Sequence, residues 1–167
     1  MFLTFILVVV VFVPMLIEAR LAAINERAQR ARGGIEPPGD VYQIMRIVYP
    51  GVFLAMIAEG AWMPGHAHVL AGAAVFVAAK ILKSSAIASL GEAWTFRVVV
   101  RPGVPLITAG PYKWLRHPNY IAVVGELVGV ALMSGARVVG PLGTILFGVL
   151  MLKRIRVEDR ALSASAR

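Results

Sequence analysis

Three observations predict that this chain folds as an all-α, polytopic membrane helical bundle with about five transmembrane helices. Hydrophobic residues make up 59% of its 167 residues, where a soluble domain is usually about 45–50% apolar. The mean hydropathy is strongly positive, +0.77. The apolar residues fall into five runs of 13 to 23 residues separated by polar segments, and flanking residues can extend the shorter runs toward the roughly 20 residues a spanning helix needs. The net charge of +8 is placed between those runs. It therefore fits the positive-inside rule better than a nucleic-acid footprint, and no nucleic-acid partner is expected. There is no cysteine, so no disulfide framework or Cys-based metal site is available. The length suits a single domain, 1–167.

The first run, 2–17, is apolar throughout. A signal peptide is the rival reading. No positive charge precedes the run and no clean small-residue cleavage site follows, so a first membrane helix starting on the outside is expected. Residues 18–40 are polar and basic; their first part reads as an interfacial helix ended by Gly33-Gly34, and the segment as a solvated connector. The second run, 41–63, contains Pro50-Gly51, which should kink or interrupt it. Glu59 lies near its far end, at functional depth or simply hydrated. Residues 64–68 form a turn, where His66 and His68 without a third ligand are a weak metal signal; no metal site is expected. The third run, 69–82, ends at Lys80 and Lys83, which mark its inner end, and residues 84–90 continue the helix. Residues 91–109 mix aromatic, β-branched and turn residues and read as an irregular or hairpin-like segment. Such backbone is not tolerated facing lipid. The fourth run, 121–133, holds Glu126 and a Gly125/Gly129 small-xxx-small pair suited to close packing within the chain. The fifth, 138–152, leads into a polar tail in which Arg154 and Glu158 stand one helical turn apart.

The most polar, turn-rich stretch is Gly110-Pro111-Tyr112-Lys113-Trp114-Leu115-Arg116-His117-Pro118-Asn119-Tyr120. Pro118 moves His117 off the helical region and suits the first turn of a new helix. His117 thus stands at a helix entrance, where free N–H groups and the dipole attract anions. Arg116 adds charge, and Tyr112, Trp114 and Tyr120 add flat faces. The stretch is either a cradle for a ligand with an anionic end and an aromatic ring, or a juxtamembrane anchor. Charge placement bears on that choice. Segments 18–46, 80–118 and 153–167 hold five, six and five of the Lys and Arg residues, which is 16 of 17; Arg137 alone falls on the other side. The positive-inside rule puts all three segments in the cytoplasm. The stretch and the Arg154–Glu158 tail then share a face, which favours a site there.

The motifs resemble the isoprenylcysteine carboxyl methyltransferase family, grouped with membrane phospholipid methyltransferases. Leu106-Ile107-Thr108-Ala109-Gly110-Pro111-Tyr112 is similar to the family's Leu-Val-Thr-x-Gly-x-Tyr. Arg116-His117-Pro118-Asn119-Tyr120 is similar to its Arg-His-Pro-x-Tyr. Residues Arg154 to Asp159 resemble its final Arg-x-x-x-Glu-Glu, with Asp159 in place of the second Glu. The likeness covers roughly the last 80 residues. It implies an integral, multi-pass, S-adenosylmethionine-dependent methyltransferase whose cytosolic loop and C-terminal segment, within about 91–167, form the cofactor site. It implies that Val104, Leu106, Ile107, Tyr112, His117, Pro118, Asn119, Tyr120 and Glu158 surround the cofactor, that Arg101 matches a further contacting position, and that Arg154 faces the substrate. A family His is replaced by Val104 or Pro105, so that side-chain contact is lost.

Residue chemistry agrees with this. Arg116 and the helix N-terminus suit a carboxylate, and Tyr112 and Tyr120 suit a sulfonium or adenine. A carboxylate acceptor needs only a positioning cation such as Arg154. A hydroxyl acceptor needs a base, for which a buried Glu126 is the candidate. The residues after Pro118 also resemble a bacterial subgroup linked to O-methylation of alkylpyrone-type polyketide lipids. The expected partner is thus a lipophilic or lipidated acceptor within membrane lipid, with a phospholipid amine as a further option. From other classes, a small transporter subunit or a non-catalytic membrane scaffold remains.

Overall fold

A computed structural model describes residues 1–63 and 65–165. Five helices carry the chain: α1 (Phe2–Ala31), α2 (Tyr42–Trp62), α3 (Val69–Leu90), α4 (Pro118–Ser134) and α5 (Val139–Ser165), with short 3-10 turns at Gly91–Ala93 and Gly110–Lys113. The all-helical class is as expected. The only strand-like feature among the described residues is a single antiparallel bridge between Ile35 and Val100. The 91–109 segment is therefore irregular and pairs with the α1–α2 connector, with no hairpin of its own.

Helices α1 and α2, and the stretch Val69–Ala93 that includes α3, are long and apolar enough to cross a membrane; α4 is a shorter apolar helix. Together they make a membrane protein, and their outward Leu, Ile, Val and Phe side chains are the lipid-facing surface such a bundle requires. Pro50 lies inside α2 without ending it. A proline there removes one backbone bond, and packing by neighbours carries the helix past it.

The core is apolar and centred on Phe53, Met56, Leu127 and Val130. Helices α3 and α4 approach most closely, because small residues meet there. A Cβ added at Gly72 would stand 2.6 Å from the Gly129 carbonyl oxygen, and one at Gly129 would stand 2.8 Å from the Phe76 Cβ. The glycine pair thus serves packing within the chain.

The bundle has two chemically distinct ends. At one, Glu59 of α2 accepts hydrogen bonds from the backbone N–H groups of Arg137 (2.8 Å), Val138 (2.9 Å) and Val139 (2.7 Å). These are the otherwise unpaired donors at the start of α5. The far-end acid is therefore an inter-helix cap. At the other end, the connector, the irregular segment and the α5 tail converge. The lower half of α1 is more than a solvated connector: Asn25 is buried and donates to the carbonyls of Gly91 (3.2 Å) and Trp94 (2.8 Å), and Gln29 donates to that of Glu92 (2.8 Å). Arg97 binds Glu36 at 2.7 Å across the same seam. Partial burial pushes the Glu36 carboxyl up, but the hydrogen bonds from Arg30 and Arg97 outweigh it and hold it below the usual range.

Two stability outcomes follow from this geometry. Glu59→Ala should cost about 1–2 kcal/mol, the usual scale for a lost helix cap, read as a lower Tm in detergent. Gly72→Val should be more damaging than Gly51→Val, because Gly51 has open space around its Cβ position; equal melting temperatures would show that α3 and α4 can separate freely.

Candidate functional site

Gly110 opens the site. Its φ of +57° is positive, and a Cβ there would meet the Ser89 hydroxyl at 2.0 Å. The left-handed φ favours glycine at this turn, which sits against the end of α3. The 3-10 turn Gly110–Lys113 then leads to His117, and Pro118 begins α4 with no side-chain cap on its first turn.

The α5 tail comes up beside this corner. His117 Nε2 and Asp159 Oδ1 lie 3.1 Å apart, and the Tyr120 hydroxyl donates to Glu158 at 2.7 Å. Tyr112 is half-buried next to them. Burial, with the Glu158 charge second, pushes its phenol up to about 12, so it stays neutral and a donor near pH 7. Asn119 has a buried side-chain oxygen with no hydrogen-bond partner among the described residues. Val104, Leu106 and Ile107 are exposed on the approach, as are Trp114 and Arg116. Arg116 reaches Asp159 only at 3.5 Å. Arg101 lies close enough to Glu92 to act on its charge.

Arg154, which the family likeness turns toward the substrate, lies within a polar contact network. It is buried, and its guanidinium is fully engaged. Nε donates to the Tyr120 hydroxyl at 2.8 Å, Nη1 pairs with Asp40 at 3.0 Å, and Nη2 donates to the Phe96 carbonyl. Asp40 also accepts from the backbone N–H groups of Tyr42 (3.0 Å) and Val98 (2.9 Å). Arg154 is thus a brace joining α5, α4, the connector and the irregular segment. The sequence reading missed Asp40. Its signal was weak: a lone acid just after the Pro37-Pro38-Gly39 turn.

Glu126 lies deeper, about 13 Å along α4 from His117 at 1.5 Å per residue. It is buried, but it is no solitary carboxyl. Lys80 Nζ lies 3.0 Å and Lys83 Nζ 3.1 Å from it, and both lysines also pair with Glu18 at 2.7 Å. The Tyr49 hydroxyl donates to Glu126 as well. Two lysines and two glutamates close a neutral cluster inside the bundle. The lysines do not mark a membrane surface, as their place in the sequence suggested. Their i, i+3 spacing on a membrane helix was the available signal that partners were needed.

A cavity of about 570 Å³ is at the opposite end, between α4 and α5. The motif residues form an open corner instead.

No solved structure matches the chain. It is 35% identical over 158 residues to the uncharacterized protein YpbQ of Bacillus subtilis, covering 93% of this chain and 94% of that one. An uncharacterized protein of Haemophilus influenzae is 25% identical over 142 residues, 83% of each. The cobalt-zinc-cadmium resistance protein CzcN of Cupriavidus metallidurans is 29% identical over 80 residues, 47% of this chain and 37% of its own length. Residues 71–164, which hold the His117 corner, the buried lysines and the α5 tail, match the isoprenylcysteine carboxyl methyltransferase (ICMT) family. The chain belongs to that family of membrane methyltransferases.

Proposed function

We propose that the protein is a multi-pass, S-adenosylmethionine-dependent methyltransferase that methylates an oxygen of a lipophilic acceptor at the cytoplasmic face. The observation that carries this reading is the meeting of the His117–Tyr120 corner with Glu158 and Asp159 of the tail, two pieces of chain that lie in the sequence segments richest in Lys and Arg. The charge placement supports the cytoplasmic assignment.

The donor set fits the cofactor. Asn119 Oδ1 and the Glu158 carboxylate are acceptors that call for donors, and S-adenosylmethionine offers an ammonium, ribose hydroxyls and an adenine amino group. Its carboxylate suits Arg116 and the uncapped first turn of α4. Val104, Leu106, Ile107, Pro118 and the rings of Tyr112 and Tyr120 supply apolar and aromatic contact, and Arg101 a further charge. When bound, the cofactor supplies a methyl group on a positively charged sulfur. The rest of the work belongs to the chain. It must hold the acceptor oxygen in line at attack distance and keep water away. Arg154 contributes by fixing Tyr120 and, through it, Glu158; in that role it is a positioning residue.

The buried carboxyl bears on the acceptor class. An acceptor that is already an anion needs no base. Glu126, paired with two lysines, is proposed to take a proton only from a hydroxyl acceptor. A carboxylate or acidic enol of a prenylated or polyketide-type lipid is therefore favoured. A phospholipid amine and a non-catalytic scaffold are the competing readings.

His117→Ala and Glu158→Ala are each expected to abolish binding of S-adenosylmethionine to purified protein in detergent, while membrane insertion is retained. Unchanged affinity in both would remove the site. Glu126→Gln should slow a hydroxyl acceptor about 10²-fold or more, the lower end for a lost general base, and leave a carboxylate acceptor nearly unaffected. Glu18 still pairs both lysines in that variant, so the bundle should persist; identical rates on both acceptors would strip Glu126 of the role. Incubating labelled cofactor with host lipid extract would then identify the acceptor.

A further inference from the structure

The cavity of about 570 Å³ between α4 and α5 lies at the end of the bundle away from the His117 corner. Its volume falls within the roughly 300–1,000 Å³ of small-molecule sites. Its walls are apolar, with Val128, Leu132 and Ile145 among them, and Arg137, His66 and His68 also line it. Arg137 is the single Lys or Arg outside the segments 18–46, 80–118 and 153–167 of the sequence. Its backbone N–H is taken by Glu59, but among the described residues its guanidinium has no ion-pair or hydrogen-bond partner. The one acid bound at this corner, Glu59, is engaged by the N–H groups of Arg137, Val138 and Val139.

We propose that this cavity binds one anionic phospholipid, with an acyl chain against the α4–α5 wall and the headgroup phosphate at Arg137. Charge complementarity selects the occupant. An unpaired guanidinium above an apolar hollow satisfies a phosphate bidentately, and the same hollow in a bilayer is filled by a lipid chain at no cost in polar desolvation. The two histidines, both exposed, add hydrogen-bonding groups at the headgroup level. The site is separate from methyl transfer, so its success or failure leaves that reading untouched.

The test uses the full chain, purified in mild detergent and weighed by native mass spectrometry with added phosphatidylglycerol or phosphatidylcholine of the same chain length. The phosphatidylglycerol adduct should be favoured about fivefold, the scale of one basic residue near a lipid surface. Arg137→Gln should bring it down to the phosphatidylcholine level, and Arg137→Lys should retain most of it. Ile145→Trp, which fills the hollow from its wall, should reduce both adducts. Soluble glycerol 3-phosphate should not displace the lipid; displacement would mean a simple anion site and reject the lipid. Equal adducts from the two lipids in the natural chain would overturn the proposal. So would an Arg137→Gln variant that keeps the preference.

Discussion

The arrangement at the basic end depends on one buried guanidinium. Arg154 is fixed by three acceptors drawn from three different segments: the Tyr120 hydroxyl, the Asp40 carboxylate and the Phe96 carbonyl. A buried cation is tolerated only when its donors are satisfied, so the four segments must arrive together or not at all. Removing either member of the buried Arg154–Asp40 pair would leave an uncompensated charge, at a cost of order 3–5 kcal/mol. The brace also orients the site. Tyr120 receives a hydrogen bond from Arg154 and passes one to Glu158, so the carboxylate proposed to hold the cofactor is aimed by a residue that does not itself face open space.

The bundle handles its other charges by the same rule, with different local solutions. In the interior, Glu18, Lys80, Lys83 and Glu126 come from three helices and sum to zero. The pairing ties α1 to α3 and α4 at a depth where a lone ion would be expensive. At the far end, Glu59 spends its charge on three backbone donors of α5. Each helix of the bundle is thus located by polar contacts as well as by apolar packing. In lipid this matters more than in water, since the hydrophobic effect does not press helices together there.

Membrane class, helix number and the shared end of the charged segments were legible in the chain. Long apolar runs and the bias of Lys and Arg are local, additive signals, and each can be read without a partner. The motif residues His117, Tyr120 and Glu158 were legible too, because their spacing matches a family pattern. The role of Glu59 was not. Whether an acid near a helix end is hydrated, catalytic or a cap depends on which other helix starts beside it. The lower half of α1 was read as solvated for a similar reason: Asn25 and Gln29 look like surface residues until the carbonyls of Gly91, Glu92 and Trp94 lie against them.

By itself, then, the order of residues determined that this is an all-helical membrane protein with a polar corner at Gly110–Tyr120, since hydropathy, charge bias and turn chemistry act over a few residues at a time. Only the tertiary structure decided that Arg154 turns inward to Asp40, 114 positions away, and that Glu126 shares two lysines with Glu18. A buried charge takes whichever partner the packed helices bring to it, and that choice is made in three dimensions.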